Sequence, residues 1–311
     1  MTRQPQISLY LRTFSDDPDN DWNPTLDTAR AMDAAGVDRV TLSDHIVFGE
    51  NLEAYTNPSL GGTTGGRQPT GPDGHWLEPL IFLTAVAATT TRIRLGTAVL
   101  LAALRRPVVL AKQLATMDVL SGGRVDLGVG VGWQREEYEA AGLSFERRGR
   151  LLDHTLEVCQ TLWTQQRAGY SSPEVSFDGI HQMPKPLQPG GIPVWVSGTV
   201  NAAVARRLSR FGTGWIPWGP AIADLEGAVP AMKRAIAEAG GDPSDLQVQG
   251  TAALKKGADG SIDVRASVAS VPQQVAAGAT DIRFAGALPT DPRQATEVLS
   301  ELVSAFREVT R

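Results

Sequence analysis

The sequence predicts an α/β fold, a single (β/α)8 TIM barrel with long loops at the C-terminal mouth. Three observations carry that prediction. Strand-like and helix-like segments alternate along all 311 residues and come to about eight pairs. Arg94 to Leu101 is almost uninterruptedly apolar after its first residue, as befits a strand buried on both faces. No linker-like break interrupts the alternation, so residues 1–311 are read as one domain.

Taken in order, Ile7 to Leu11 alternates apolar and polar residues and reads as a strand. Asn23 before Pro24 is a helix-start signal, with Asn23 as the capping side chain. Leu26, Ala29, Met32 and Ala35 give that helix its inner face, and Gly36 is a natural stop. Val37 to Leu42 is the next strand. Parallel neighbours require a crossover helix, which this order supplies. Glu78 to Thr91 is a helix and Arg94 to Leu101 the third strand. Pro107 opens a helix with Leu110, Leu114, Met117 and Leu120 inward, ended by Ser121-Gly122-Gly123. Val125 to Val131 is a strand, and Arg147 to Gln165 a long helix.

The second half repeats the rhythm. Strands are expected at Pro193 to Val196, Trp215 to Trp218, Leu246 to Leu254 and Ile282 to Ala285. Helices are expected at Asn201 to Phe211, Leu225 to Ala239, Val264 to Ala277 with a break near Pro272, and Asp291 to Arg307. Two connections exceed ordinary length: His45 to His75, with a mobile Gly61 to Gly66 stretch, and Gln166 to Ile192. Both are read as functional loops at the mouth, where barrels of this kind carry their active sites.

Composition excludes several classes. With 42% hydrophobic and 20% charged residues the chain can bury a large core, and disorder is excluded. A net charge of −5 argues against sequence-independent nucleic-acid binding. The one cysteine, Cys159, can make neither an intrachain disulfide nor a thiolate metal site. It shares a helical face with Leu152, Leu156, Leu162 and Trp163 and is read as a small buried apolar residue. No His pair has helical ligand spacing, so no metal is expected. The N-terminus lacks a signal-peptide pattern and no apolar run is long enough to span a bilayer, which predicts a soluble, cytoplasmic protein with no membrane contact.

Three places bear on chemistry. Ser43-Asp44-His45 ends the second strand, where side chains point into the reaction chamber. A carboxylate beside an imidazole can orient it for proton exchange near neutral pH. Gly128-Val129-Gly130-Val131-Gly132 is not a dinucleotide fingerprint, because Trp133 and Arg135 stand where the last glycine is needed. Its small residues admit either a closely approaching planar ligand or tight strand packing. Val194 to Asn201 runs from a strand through Ser197-Gly198-Thr199 straight into a helix. That segment suits a phosphate, or ordinary capping by Thr199 or Ser197.

As a set, these segments resemble the bacterial luciferase-like flavin and deazaflavin oxidoreductases, in particular the coenzyme F420-dependent branch. The matching stretches are Leu42 to His45, Arg94 to Val99, Ala115 to Arg124, Leu127 to Trp133, then Glu136, Glu137, Tyr138 and Arg147, and finally Pro193 to Gly198 with Gly214-Trp215. The resemblance implies a barrel holding a flavin-type ring at its mouth. It implies a non-prolyl cis peptide at Ala98-Val99 bracing the ring, with Gly130, Val131, Gly132 and Trp133 beneath it. It assigns Ser197, Gly198 and Thr199 to the cofactor phosphate, and Asp44 and His45 to cofactor contact or proton transfer. Trp133 stands where related sugar-phosphate dehydrogenases carry a Glu, so with Leu100 and Leu101 it implies a more hydrophobic pocket. Val131 replaces a residue that often offers a hydroxyl.

The implied activity is hydride transfer between F420 and a small organic substrate, with His45 oriented by Asp44. Arg105, Arg106 and Arg135 are expected to face the carboxylates of the F420 tail. Three alternatives stand beside it: an FMN-dependent monooxygenase fed by a separate reductase, a non-catalytic flavin or deazaflavin binder, and a barrel enzyme whose phosphorylated substrate sits at Ser197 to Thr199. A homodimer is expected.

Overall fold

A computed structural model describes residues 4–60, 62 and 66–311. Its eight barrel strands are Gln6–Tyr10, Arg39–Leu42, Arg94–Thr97, Val125–Val129, Val194–Gly198, Gly212–Pro217, Gln247–Ala253 and Asp281–Ala285. All are parallel, and the eighth pairs with the first, closing the barrel. The helices between them pack outside. The expected fold is therefore the observed one, with strand ends shifted by a few residues.

Local chemistry explains most element ends. Gly36 adopts φ 86° and closes the first helix: its N–H donates to the Asp33 carbonyl and that of Val37 to Met32. Pro79, Pro107 and Pro292 each open a helix, where the missing N–H costs nothing. The helix expected to break near Pro272 divides into Val264–Val268 and Val271–Ala276. Cys159 is fully buried and burial pushes its thiol up to about 12, so it is an inert packing residue.

Three local expectations need correction. Asn23 does not cap the first helix; it lies inside it, and its side chain donates to Asp21. Leu120 is exposed rather than inward, because its helix has already turned that face to solvent. Gln166 to Ile192 is not a mouth loop. It enters the fifth strand from below, folds as a hairpin of Ala168–Ser171 and Ser176–Ile180, and meets the barrel base through Gln188, which Arg94 contacts.

The other long connection does cover the mouth. Its His75–Trp76 pairs with Phe14–Ser15, and Phe14 stacks on Trp76 at 4.3 Å. Trp218 donates to the Gly62 carbonyl, tying the loop to the end of the sixth strand. Most of the glycine stretch expected to be mobile lies outside the described residues. No helix among the described residues is long and apolar enough to cross a membrane.

The barrel interior is layered. Because alternate strand residues face inward, Ser8 and Tyr10, Arg39 and Thr41, and Asp281 and Arg283 form successive levels. At the base, Arg39 pairs with Asp126 at 2.8 Å and with Asp281, whose other oxygen accepts from Ser8. Arg94 adds a second ion pair to Asp126 at 2.6 Å. Burial opposes ionisation of Asp126, but Arg39 and Arg94 outweigh it and hold its carboxyl below the usual carboxylate range.

Candidate active site

Above those layers lies a cavity of about 650 Å³ with mostly apolar walls. Its size suits a cofactor-and-substrate site. The residues that the resemblance assigned to the reaction and to the cofactor ring and phosphate line it: Asp44 and His45 from the second strand's end, Ala98 and Val99 from the third, Gly130 to Trp133 from the fourth, and Ser197 to Thr199 from the fifth. Leu101 joins them, whereas Leu100 belongs to the core.

The peptide Ala98-Val99 is cis, as the resemblance implied. The glycines around it are required by the protein itself. A Cβ on Gly128 would lie 1.9 Å from the Thr97 carbonyl oxygen, and one on Gly130 would lie 2.6 Å from Val99 Cγ2. Tight packing of the third and fourth strands therefore accounts for both, and the same packing leaves Gly130 as bare backbone at the cavity wall.

The His45 environment corrects the expected pairing. Asp44 does not orient His45. Its carboxylate accepts from Leu101 N at 2.9 Å and from Arg105 at 2.6 Å, fastening the chain just after the cis peptide. The residue at His45 is Glu137. Its Oε2 lies 3.2 Å from His45 Nδ1, while its Oε1 accepts from Ile46 N at 2.9 Å. The Glu137 side chain is fully buried and His45 nearly so. A short helix, Arg135–Ala140, presents Glu137, and Tyr138 pins that helix by donating to the Val131 carbonyl at 2.7 Å. Aromatic rings complete the pocket: Trp76 meets His45 edge-on at 4.9 Å, and Trp133 at 5.7 Å.

The phosphate segment is capped by neither Thr199 nor Ser197. Asn201 caps the helix Ala202–Phe211 by accepting from Ala203 N and Val204 N, and it donates to Thr199. The hydroxyls of Ser197 and Thr199 and the Gly198 backbone remain at the cavity. Beside them the cavity is lined by Arg148 and Arg207, neither of which was anticipated. Arg207 is buried and paired with Asp153 at 2.6 Å. Arg148 donates to the Phe145 and Leu60 carbonyls, and its buried Nε has no partner among the described residues. Gln68 Nε2 is likewise buried without a partner at the cavity wall.

The cations expected to serve the cofactor tail lie outside the cavity lining. Arg105 is held by Asp44 and Glu78, Arg135 pairs with Glu146 at 2.7 Å, and none of Arg105, Arg106 and Arg135 lines the cavity. Sequence reasoning missed Glu137, Arg148, Arg207, Arg283 and Gln68. Glu137 stood within a matching stretch but three residues into a helix, where nothing local shows which loop it meets. Arg283 carried one signal, a charge spaced two residues from Asp281 in a short apolar strand.

Comparison with known proteins agrees with this geometry. The family model described as luciferase-like monooxygenase matches residues 6–254. An uncharacterized protein of Mycobacterium tuberculosis is 40% identical over 166 residues, 53% of this chain and 58% of that protein. The match thus spans a little over half of that relative's length. The F420-dependent glucose-6-phosphate dehydrogenase of Mycolicibacterium gilvum is 30% identical over 231 residues, covering 71% of this chain and 61% of that enzyme. Among solved structures, an F420-dependent secondary alcohol dehydrogenase in complex with an F420-acetone adduct superposes with a TM-score of 0.75 over 97% of this chain and 99% of that one, at 16% identity. With a model match over most of its length, the chain belongs to the luciferase-like monooxygenase family.

Proposed function

We propose that this protein is an F420-dependent oxidoreductase that moves a hydride between the deazaflavin and a small organic substrate. The observation that carries the reading is one cavity in which backbone from the third and fourth strands, a hydroxyl-bearing strand end and an imidazole held by a carboxylate all converge. The residues fit such a cofactor. Gly130 offers bare backbone at the cavity wall, and Ser197, Thr199 and the Arg148 Nε without a partner among the described residues offer donors to an anionic tail. F420, when bound, supplies two-electron hydride chemistry.

The chain's own part is proton handling and exclusion of water. With Glu137 Oε2 beside Nδ1 of His45 to take that nitrogen's proton, Nε2 is the atom left to exchange a proton with a substrate. An alcohol substrate would give its hydroxyl proton to Nε2 as its carbon loses hydride; in the reverse direction Nε2 returns that proton. Trp76, Trp133 and the covering loop keep water away.

Fluorescence titration with F420 and with FMN tests the reading. F420 should bind in the micromolar range, and binding of neither would overturn the assignment. His45→Ala should lower turnover by about 10²–10⁴-fold, the range of a positioned acid–base group, while cofactor affinity stays near wild type. Unchanged turnover would remove His45 from the mechanism. The family description favours one second reading, an FMN-dependent monooxygenase supplied by a separate reductase. Oxygen consumption with reduced FMN identifies it.

A further inference from the structure

One charged side chain in the cavity has neither an ion pair nor a hydrogen bond among the described residues. Arg283 lies on the eighth strand and lines the cavity beside Ala285. Among the described residues its guanidinium has no carboxylate within ion-pair distance and no hydrogen-bond partner, and the groups acting on its charge are the phenols of Tyr10 and Tyr55. Its Cζ lies 6.0 Å from the Tyr10 ring. Burial pushes the guanidinium down from its ordinary value. Asp281 faces the same way two residues earlier, but Arg39 and Ser8 already occupy it.

An uncompensated cation in such a place is costly unless a ligand supplies the missing charge. The barrel order identifies which ligand. The proposed cofactor contacts come from the third, fourth and fifth strands, while the eighth lies three strands from both the third and the fifth around the closed ring. Arg283 and Tyr10 thus occupy the half of the mouth left to the substrate. We propose that Arg283 receives the carboxylate of a substrate whose apolar body rests against Phe14 and Trp76. A single guanidinium matches a monoanionic carboxylate in a two-pronged pair. A phosphate would call for further cations or free backbone N–H groups, and the neighbours of Arg283 are phenols. This deepens the proposed function, since it takes the cofactor to lie on the opposite wall.

The test uses the full chain without cofactor and follows tryptophan fluorescence, because Trp76, Trp133 and Trp218 line the cavity. The probes are benzoate, phenylacetate and 4-phenylbutyrate, with benzyl alcohol as the neutral control and inorganic phosphate as the competing anion. At least one carboxylate should bind wild type, and Arg283→Met should weaken it by about tenfold to a hundredfold, the worth of a charged hydrogen bond. Arg283→Lys should keep part of the affinity. Benzyl alcohol and F420 should bind all forms alike, and thermal melts should show Arg283→Met at least as stable as wild type. Equal carboxylate affinity in Arg283→Met, no carboxylate binding to wild type, or tighter Arg283-dependent binding of phosphate would each overturn the proposal. A fall in F420 affinity in Arg283→Met would reassign the residue to the cofactor. Failure of F420 to bind wild type would instead strike the proposed function, and the carboxylate titration is read without it.

Discussion

The base and the mouth of the barrel treat charge in opposite ways. At the base, Arg39 and Arg94 meet Asp126 and Asp281, and the remaining donors find Gln6 and Gln188. At the mouth, Arg283, Arg148 Nε and Gln68 Nε2 belong to cavity-lining residues and have no acceptor among the described residues. The same strand spans both levels, since Asp281 and Arg283 are two residues apart on one face. Matched charges below serve the scaffold, where breaking a pair strands its partner. Unmatched donors above cost stability and are of use only to a ligand.

Asp126→Asn should break that contrast most visibly. It leaves Arg39 and Arg94 short of a buried counter-charge and should cost about 3–5 kcal/mol, read by urea unfolding. If Arg283→Met proved equally destabilising, the two levels would not differ as argued. The contrast extends to pH. The folded-state carboxyl of Asp126 is held below its unfolded value, so its contribution is complete above the unfolded value. That contribution is lost from about pH 4 downward, as the carboxyl protonates. Stability measured between neutral and acid pH should therefore fall less steeply in Asp126→Asn than in wild type.

Much of this was legible in the sequence, and the limit is physical. The barrel could be read because each strand–helix unit carries its own local signals, such as Pro at helix starts and Gly36 at a helix end. The site segments could be read because strand ends in a barrel converge wherever they occur in the chain. Pairings across the mouth could not. Asp44 stands beside His45 in sequence, yet adjacent residues at a strand end point different ways, and Asp44 turns to Leu101 and Arg105 while Glu137 reaches His45 from a helix ninety-two residues on. Gln166 to Ile192 was misplaced for a related reason: loop length says that a segment is special but not at which end of the barrel it lies.

Glu137→Gln sharpens the account of the mouth. The amide can still accept from Ile46 N, so folding should survive with a cost of about 1–3 kcal/mol. Without the carboxylate, His45 loses its fixed tautomer. Turnover should fall by about tenfold to a hundredfold, as for other residues that position a histidine, with cofactor affinity near wild type. The shape of the pH–rate profile should change as well, which a purely structural role would not produce. Glu137→Asp should restore part of the rate. An unchanged profile would leave Glu137 as a loop anchor through Ile46.

The smallest effect belongs to Gln68, and it separates a ligand contact from a tolerated defect. Its Nε2 is buried at the cavity wall without a partner among the described residues. Replacing it by Leu removes an unsatisfied donor and should stabilise the free protein by about 1 kcal/mol. If the donor exists for cofactor or substrate, the same change should weaken binding of one of them by a similar amount, so the Tm advantage should vanish once that ligand is saturating. Persistence of the advantage with every ligand bound would mean that an empty hydrogen bond at the mouth is not in itself a mark of function, and the case for ligand-directed donors would then rest on Arg283 and Arg148.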